Sequence, residues 1–213
     1  MAPTPASTGP EPVPLTVWTT RDGDDDSLPA DITRRILHSY TRPGDLVVTT
    51  STIPTAAAEV CTTAGRRTRR ANTLGTADIP PWILLRRYPA AVDLVLDQQT
   101  AIADRTTLAD LYTDLAALLR PGGILLTVLP ESSPPDPLAD PLTDTVAAAL
   151  DAGLTYTQHL LALRLPFPSS LLVPPVDGGW DPADDPTLPT PLPPLRIHAD
   201  LAVFTRTASR SSR

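Results

Sequence analysis

The residues best placed to do chemistry in this chain are a carboxylate and a run of hydroxyls, each at the end of an apolar strand. Asp97 closes the run Ala91-Val92-Asp93-Leu94-Val95-Leu96, and Thr49-Thr50-Ser51-Thr52 follows Leu46-Val47-Val48. If the chain is an enzyme, these strand-end residues line its site and Asp97 is the one ionisable group among them. Other candidates are weaker. His38, His159 and His198 fall on separate elements without a Cys/His spacing that suggests zinc; His159 and His198 lie on the last two predicted strands and are read as structural neighbours. Asp22, Asp24, Asp25 and Asp26 lack the alternating spacing, the sixth-position glycine and the distant glutamate of a calcium loop, so they read as a solvated tail. The chain has no Gly-x-Ser-x-Gly elbow, no Gly-Lys-Ser/Thr phosphate loop and no lysine at all.

Composition narrows the classes further. The 213 residues suit one domain with a real core, yet 27 prolines, gathered at residues 1–14 and 166–194, make the folded part smaller than the chain. A net charge of −7 opposes a general nucleic-acid role, because phosphate binding needs clustered cations. The one basic run, Arg66-Arg67-Thr68-Arg69-Arg70, reads as a solvated edge. Cys61 is the only cysteine, which rules out an internal disulfide and suits a reducing cytoplasm. No apolar run is long enough to span a bilayer, and no membrane association is expected.

The elements that must position Asp97 and the threonines follow from periodicity. A helix begins near Pro29, with Ile32, Ile36, Leu37 and Tyr40 on one face. Leu46-Val47-Val48 is too continuously apolar for a half-exposed strand and suits a central parallel position. A helix over residues 54–64 ends at Gly65, and a weak strand follows near 67–72. The strand over 91–96 precedes a helix that starts at Thr106 or Thr107, with Asp110 completing a capping box and Leu108, Leu111, Leu115, Leu118 and Leu119 as its stripe. Arg120-Pro121-Gly122-Gly123 stops that helix before a strand over 124–129. Asp140 caps a helix over 141–152 closed by Gly153, and strands over 155–164 and 197–205 finish the chain. Alternating strands and helices imply a mostly parallel sheet covered by helices on both faces, closed by an antiparallel strand. The expected organisation is a tail over 1–27, one domain over 28–206 interrupted by the Pro-rich insertion 166–194, and a tail over 207–213. Within the first tail, Leu15-Thr16-Val17-Trp18 is expected to dock on the body.

Four passages in this order resemble the amino-group DNA-modification methyltransferases of actinobacteria. They are Arg42-Pro43-Gly44-Asp45-Leu46-Val47-Val48, Ala91-Val92-Asp93-Leu94-Val95-Leu96-Asp97, Leu118-Leu119-Arg120-Pro121-Gly122-Gly123 and Ile197-His198-Ala199-Asp200-Leu201-Ala202-Val203-Phe204. The resemblance covers roughly residues 28–165 and 195–206 and implies an α/β fold of the Rossmann-like methyltransferase kind. It further implies S-adenosylmethionine as cofactor, held at Thr49, Thr50, Ser51 and Thr52, and Asp97 as the polar residue that accepts a hydrogen bond from the target amine.

The departures from that family set the functional expectation. Ile53 and Thr55 stand where the family's turn has glycines, and Thr49-Thr50 replaces its Asp-Pro. Arginines and Asn72 occupy the place of the ribose-binding acid. Gln98-Gln99-Thr100 replaces the Pro-Pro and the aromatic residue that stacks on a flipped base. The chain is therefore expected to be a degenerate, non-catalytic methyltransferase-like protein that acts by binding, as a partner or regulatory subunit or at a vestigial ligand pocket, with an unknown protein partner and no cofactor expected. The alternative is an active S-adenosylmethionine-dependent enzyme with an atypical turn and a small substrate; a remnant without any ligand is the third reading. If Ile53 and Thr55 fill the space above the first strand, the pocket is closed.

Overall fold

The computed structural model describes residues 13–20, 28–50, 52–71, 90–99, 105–130, 140–164 and 198–207. The elements are β1 (Leu15–Thr20), α1 (Ala30–Tyr40), β2 (Leu46–Thr50), α2 (Thr55–Thr63), β3 (Arg67–Ala71), β4 (Val92–Gln98), α3 (Arg105–Leu118), β5 (Leu119–Val128), α4 (Pro141–Asp151), β6 (Leu154–Arg164) and β7 (His198–Arg206). They build one seven-stranded sheet in the order β1-β6-β7-β5-β4-β2-β3. β7 runs antiparallel to both of its neighbours, β5 and β6, and every other pairing is parallel. This is the Rossmann-like methyltransferase sheet: the chain crosses over from β2 in both directions and its last strand inserts backwards between β5 and β6.

Helices cover both faces because the central strands are apolar on both sides. Val48, Val95, Leu125 and Phe204 pack with Tyr112, Leu115 and Ala148 of α3 and α4. Val47, Leu94, Leu96 and Val203 pack with Ile32, Ile36, Leu37 and Ala57 of α1 and α2 on the other face. No helix among the described residues is long and apolar enough to cross a membrane.

Two features differ from the sequence expectation. Leu15–Thr20 is a strand of the sheet and not a tail, so the folded unit starts well before residue 28. Its end is tied to α1, where Asp31 accepts hydrogen bonds from Thr20 Oγ1 at 2.7 Å and from the Ile32 amide at 2.8 Å. The second concerns Arg120-Pro121-Gly122-Gly123. Pairing with β4 already begins at Leu119, opposite Val92, and resumes at Ile124, opposite Leu94. The four residues between them therefore bulge out against Asp93 alone, and Leu119 belongs to the strand rather than to the helix stripe. Gly123 permits this: a Cβ there would lie 2.9 Å from the carbonyl oxygens of both Arg120 and Val92. Asp93 ties the bulge down, accepting from the Leu46 amide at 2.7 Å and from the Arg120 guanidinium. The Pro-rich insertion 166–194, both ends of the chain and Gly178-Gly179-Trp180 lie outside the described residues.

The basic run is also more structural than a solvated edge. Arg66 donates to Thr41 Oγ1 at 3.0 Å, to the carbonyls of Leu37 and Thr41 at 3.1 Å each, and to that of Ala64. One guanidinium thus ties together the C-terminal ends of α1 and α2, bonding the carbonyls of both C-cap residues, Thr41 and Ala64.

Candidate functional site

The site expected from the sequence lies at the carboxyl ends of β2, β4 and β5. Thr49 pairs with Leu96 and Asp97 with Thr127, which puts Thr50, Asp97 and Thr127 side by side in one row. Strand alternation turns that row toward α3 and α4, the same face as Val48 and Val95. All three are buried, Asp97 to 2 % exposure. Tyr112 of α3 closes over them and donates to Thr127 Oγ1 at 3.2 Å. Gln99 Nε2 donates to Tyr112 Oη at 2.9 Å and to Thr145 Oγ1 of α4 at 3.1 Å. The ends of three strands, β2, β4 and β5, thus carry buried polar side chains tied to the two helices α3 and α4.

Burial pushes the Asp97 carboxyl up to about 6, against the pull of the Thr50 hydroxyl and the Gln98 amide, which both bond its charged form. Its Oδ2 has no hydrogen-bond partner. The Tyr112 hydroxyl is raised too, first by burial and then by the neighbouring Asp97 charge. A carboxyl near neutrality can exchange a proton at physiological pH. Here it is enclosed by side chains of the fold, at 2% exposure.

The strand-end hydroxyls are split by the pleat. Thr50 turns to Asp97 and shares a 2.7 Å hydrogen bond with Thr52 Oγ1. Thr49 faces the other way, where its Oγ1 is buried without a partner. Ser51, Asn72 and Thr100 lie outside the described residues. Ile53 is fully buried, in the cluster with Leu28, Ile32, Val47 and Leu94. Thr55 is exposed at the start of α2, so only one half of the expected plug is a plug. A third residue takes part instead. Arg70 of β3 reaches across to donate to the Ile53 carbonyl at 3.0 Å and to Thr55 Oγ1 at 3.1 Å.

The turn after β2 thus carries a buried isoleucine, and β3 beside it contributes an arginine that latches the turn.

Elsewhere, His159 and His198 do meet, as expected, through Asp200: its carboxylate lies 3.0 Å from His159 Nε2 and 3.3 Å from His198 Nε2. No group of three or more potential metal ligands occurs among the described residues. Cys61 is buried and its thiol is pushed up to about 11, mainly by burial, so it is not a reactive thiolate. The residues the sequence reading missed are Tyr112, Thr127, Thr145 and Arg70. Tyr112 gave one signal, a polar-tipped aromatic set inside a leucine stripe, and such a residue needs a buried partner.

No family model matches the chain, and no curated protein does. Solved structures resemble it only in shape. A 1,6-didemethyltoxoflavin-N1-methyltransferase from Burkholderia thailandensis, solved with S-adenosylhomocysteine, aligns at 15% identity and a TM-score of 0.49, over 84% of this chain and 78% of its own. A SAM-dependent methyltransferase from Methanosarcina mazei aligns at 10% identity and 0.44, over 81% and 97%. A Thermus thermophilus protein named for DNA modification methylase activity aligns at 15% and 0.38, over 59% and 50%. The strand order and the reversed β7, rather than these likenesses, define the fold.

Proposed function

We propose that this chain is a methyltransferase-fold protein that no longer transfers methyl groups and acts by binding a partner, in the reducing interior that its lone Cys61 suits. The observation that carries this reading is the turn after β2, where Ile53 is 0% exposed and Arg70 bonds the Ile53 carbonyl. Opening that turn for a ligand means pulling a full aliphatic side chain out of the core and breaking the latch. The competing reading, an active S-adenosylmethionine-dependent enzyme acting on a small substrate, draws on Asp97, whose near-neutral carboxyl keeps one oxygen unpartnered. Titration calorimetry with S-adenosylmethionine and S-adenosylhomocysteine separates the two. The binding reading expects no heat at millimolar ligand, and micromolar affinity for either compound overturns it.

A further inference from the structure

Away from the strand ends, a cleft of about 540 Å³ opens against α1, walled by Trp18 of β1, by Arg34, Arg35, Leu37 and His38 of α1, and by Arg66. Its chemistry is unlike that of the rest of the molecule. The chain carries −7, yet the cleft gathers three arginines and a histidine around an indole and a leucine. Arg66 is spent on helix carbonyls. Arg34 and Arg35 are exposed and bond to no described residue, and neither does His38. Two guanidinium forks without a partner among the described residues stand beside the half-buried indole of Trp18.

We propose that this cleft binds an acidic peptide segment of a partner protein, one that carries an aromatic or apolar residue between its carboxylates. Each arginine fork matches a carboxylate bidentately. Trp18 and Ala64, both half-buried, offer the surface that an apolar anchor would cover, and the volume is in the range of ligand-binding clefts. Duplex nucleic acid suits it less. Phosphates spaced about 1.7 Å apart along the axis need an extended cationic track. The next arginines, Arg67, Arg69 and Arg70 of β3, are turned onto the carbonyls of Gly44, Thr68 and Ile53. A bare phosphate would satisfy the arginines and leave the indole wall uncovered. The proposal is independent of the strand-end turn and stands whether or not S-adenosylmethionine binds there.

Fluorescence anisotropy of the full chain with a short fluorescein-labelled peptide, one tryptophan flanked on both sides by glutamates, tests it. The expected result is saturable binding that weakens as salt is raised and is lost when the glutamates are replaced by glutamines. The double variant Arg34→Glu/Arg35→Glu should weaken binding by about tenfold or more, since attraction becomes repulsion at two partly exposed sites. Trp18→Phe should retain binding and Trp18→Ala lose it, with circular dichroism showing each variant folded. Equal affinity for the glutamine peptide, unchanged affinity in the double variant, tighter binding of a duplex oligonucleotide, or displacement by millimolar inorganic phosphate would each overturn the proposal.

Discussion

Asp97→Asn should stabilise this protein at neutral pH, although it removes a charged residue from the strand-end network. The carboxyl is raised from an ordinary 3.8 to about 6, chiefly by burial. That gap is about two pK units, and at about 1.4 kcal/mol per unit it amounts to ~3 kcal/mol. Below about pH 4 the group is protonated in folded and unfolded chains alike and contributes no difference. As pH rises from about 4 to 6 the unfolded chain loses its proton first, so the folded state loses stability through that window and stays lower above it. Asparagine has no such window. Its oxygen can still accept from Thr50, while an unpaired amide N–H returns about 1–2 kcal/mol of the gain, leaving a net stabilisation of ~1–2 kcal/mol at pH 8. Urea unfolding of both proteins by circular dichroism, at steps from about pH 4 to pH 8, measures this. The difference between them cancels the other titrating groups. A difference that stays flat across the window, or a variant less stable at pH 8 than the wild type, refutes the reasoning.

Two further outcomes rest on the same kind of argument. Gly123→Ala places a methyl 2.9 Å from two backbone oxygens in the β5 bulge, and should lower stability by about 1–3 kcal/mol in thermal or urea unfolding. Tyr112→Phe removes the hydroxyl that bonds Thr127 and Gln99 and should cost about 1–3 kcal/mol, because both partners remain buried; a neutral effect would mean the network is not what holds α3 to the sheet.

Much of the fold was legible because it rests on local signals. The continuous apolar runs in β2, β4 and β5, and Asp140 before Pro141, each fix an element without reference to anything distant. The parallel pairing of β1 with β6 was not legible: the run is short, Leu15 and Val17 are exposed in the sheet, and only the partner strand turns such a stretch into a strand. Leu119 was misplaced for a related reason. Its helical spacing from Leu115 is real, but hydrogen bonding across to Val92 decides its state. At the site, sequence position located Asp97 and the threonines and could not say which way the pleat sends each one. That is why Thr50 joined Asp97 while Thr49 did not. Arg70 was unreadable as a latch, since its partners are a carbonyl and a hydroxyl about fifteen residues away whose placement depends on the turn itself.

The turn after β2 also decides what kind of residue Ile53 is, and stability can answer that without any ligand. A side chain lining an open cofactor pocket can be trimmed at little cost, because the space it leaves is already solvated. A side chain that completes the core leaves a cavity, and truncations of buried isoleucine cost about 2–5 kcal/mol. Ile53 is 0% exposed and belongs to the cluster under α1 and α2, so Ile53→Ala should fall in that range by urea unfolding. Thr55→Ala, at an exposed position, should lose no more than the single bond to Arg70, about 0.5–1 kcal/mol. If Ile53→Ala instead costs less than about 1 kcal/mol, the side chain is not core, and the turn has room for a ligand after all. The contrast between these two neighbours is what physical closure of the turn predicts, since a closed turn needs one of them for packing and the other only for the latch.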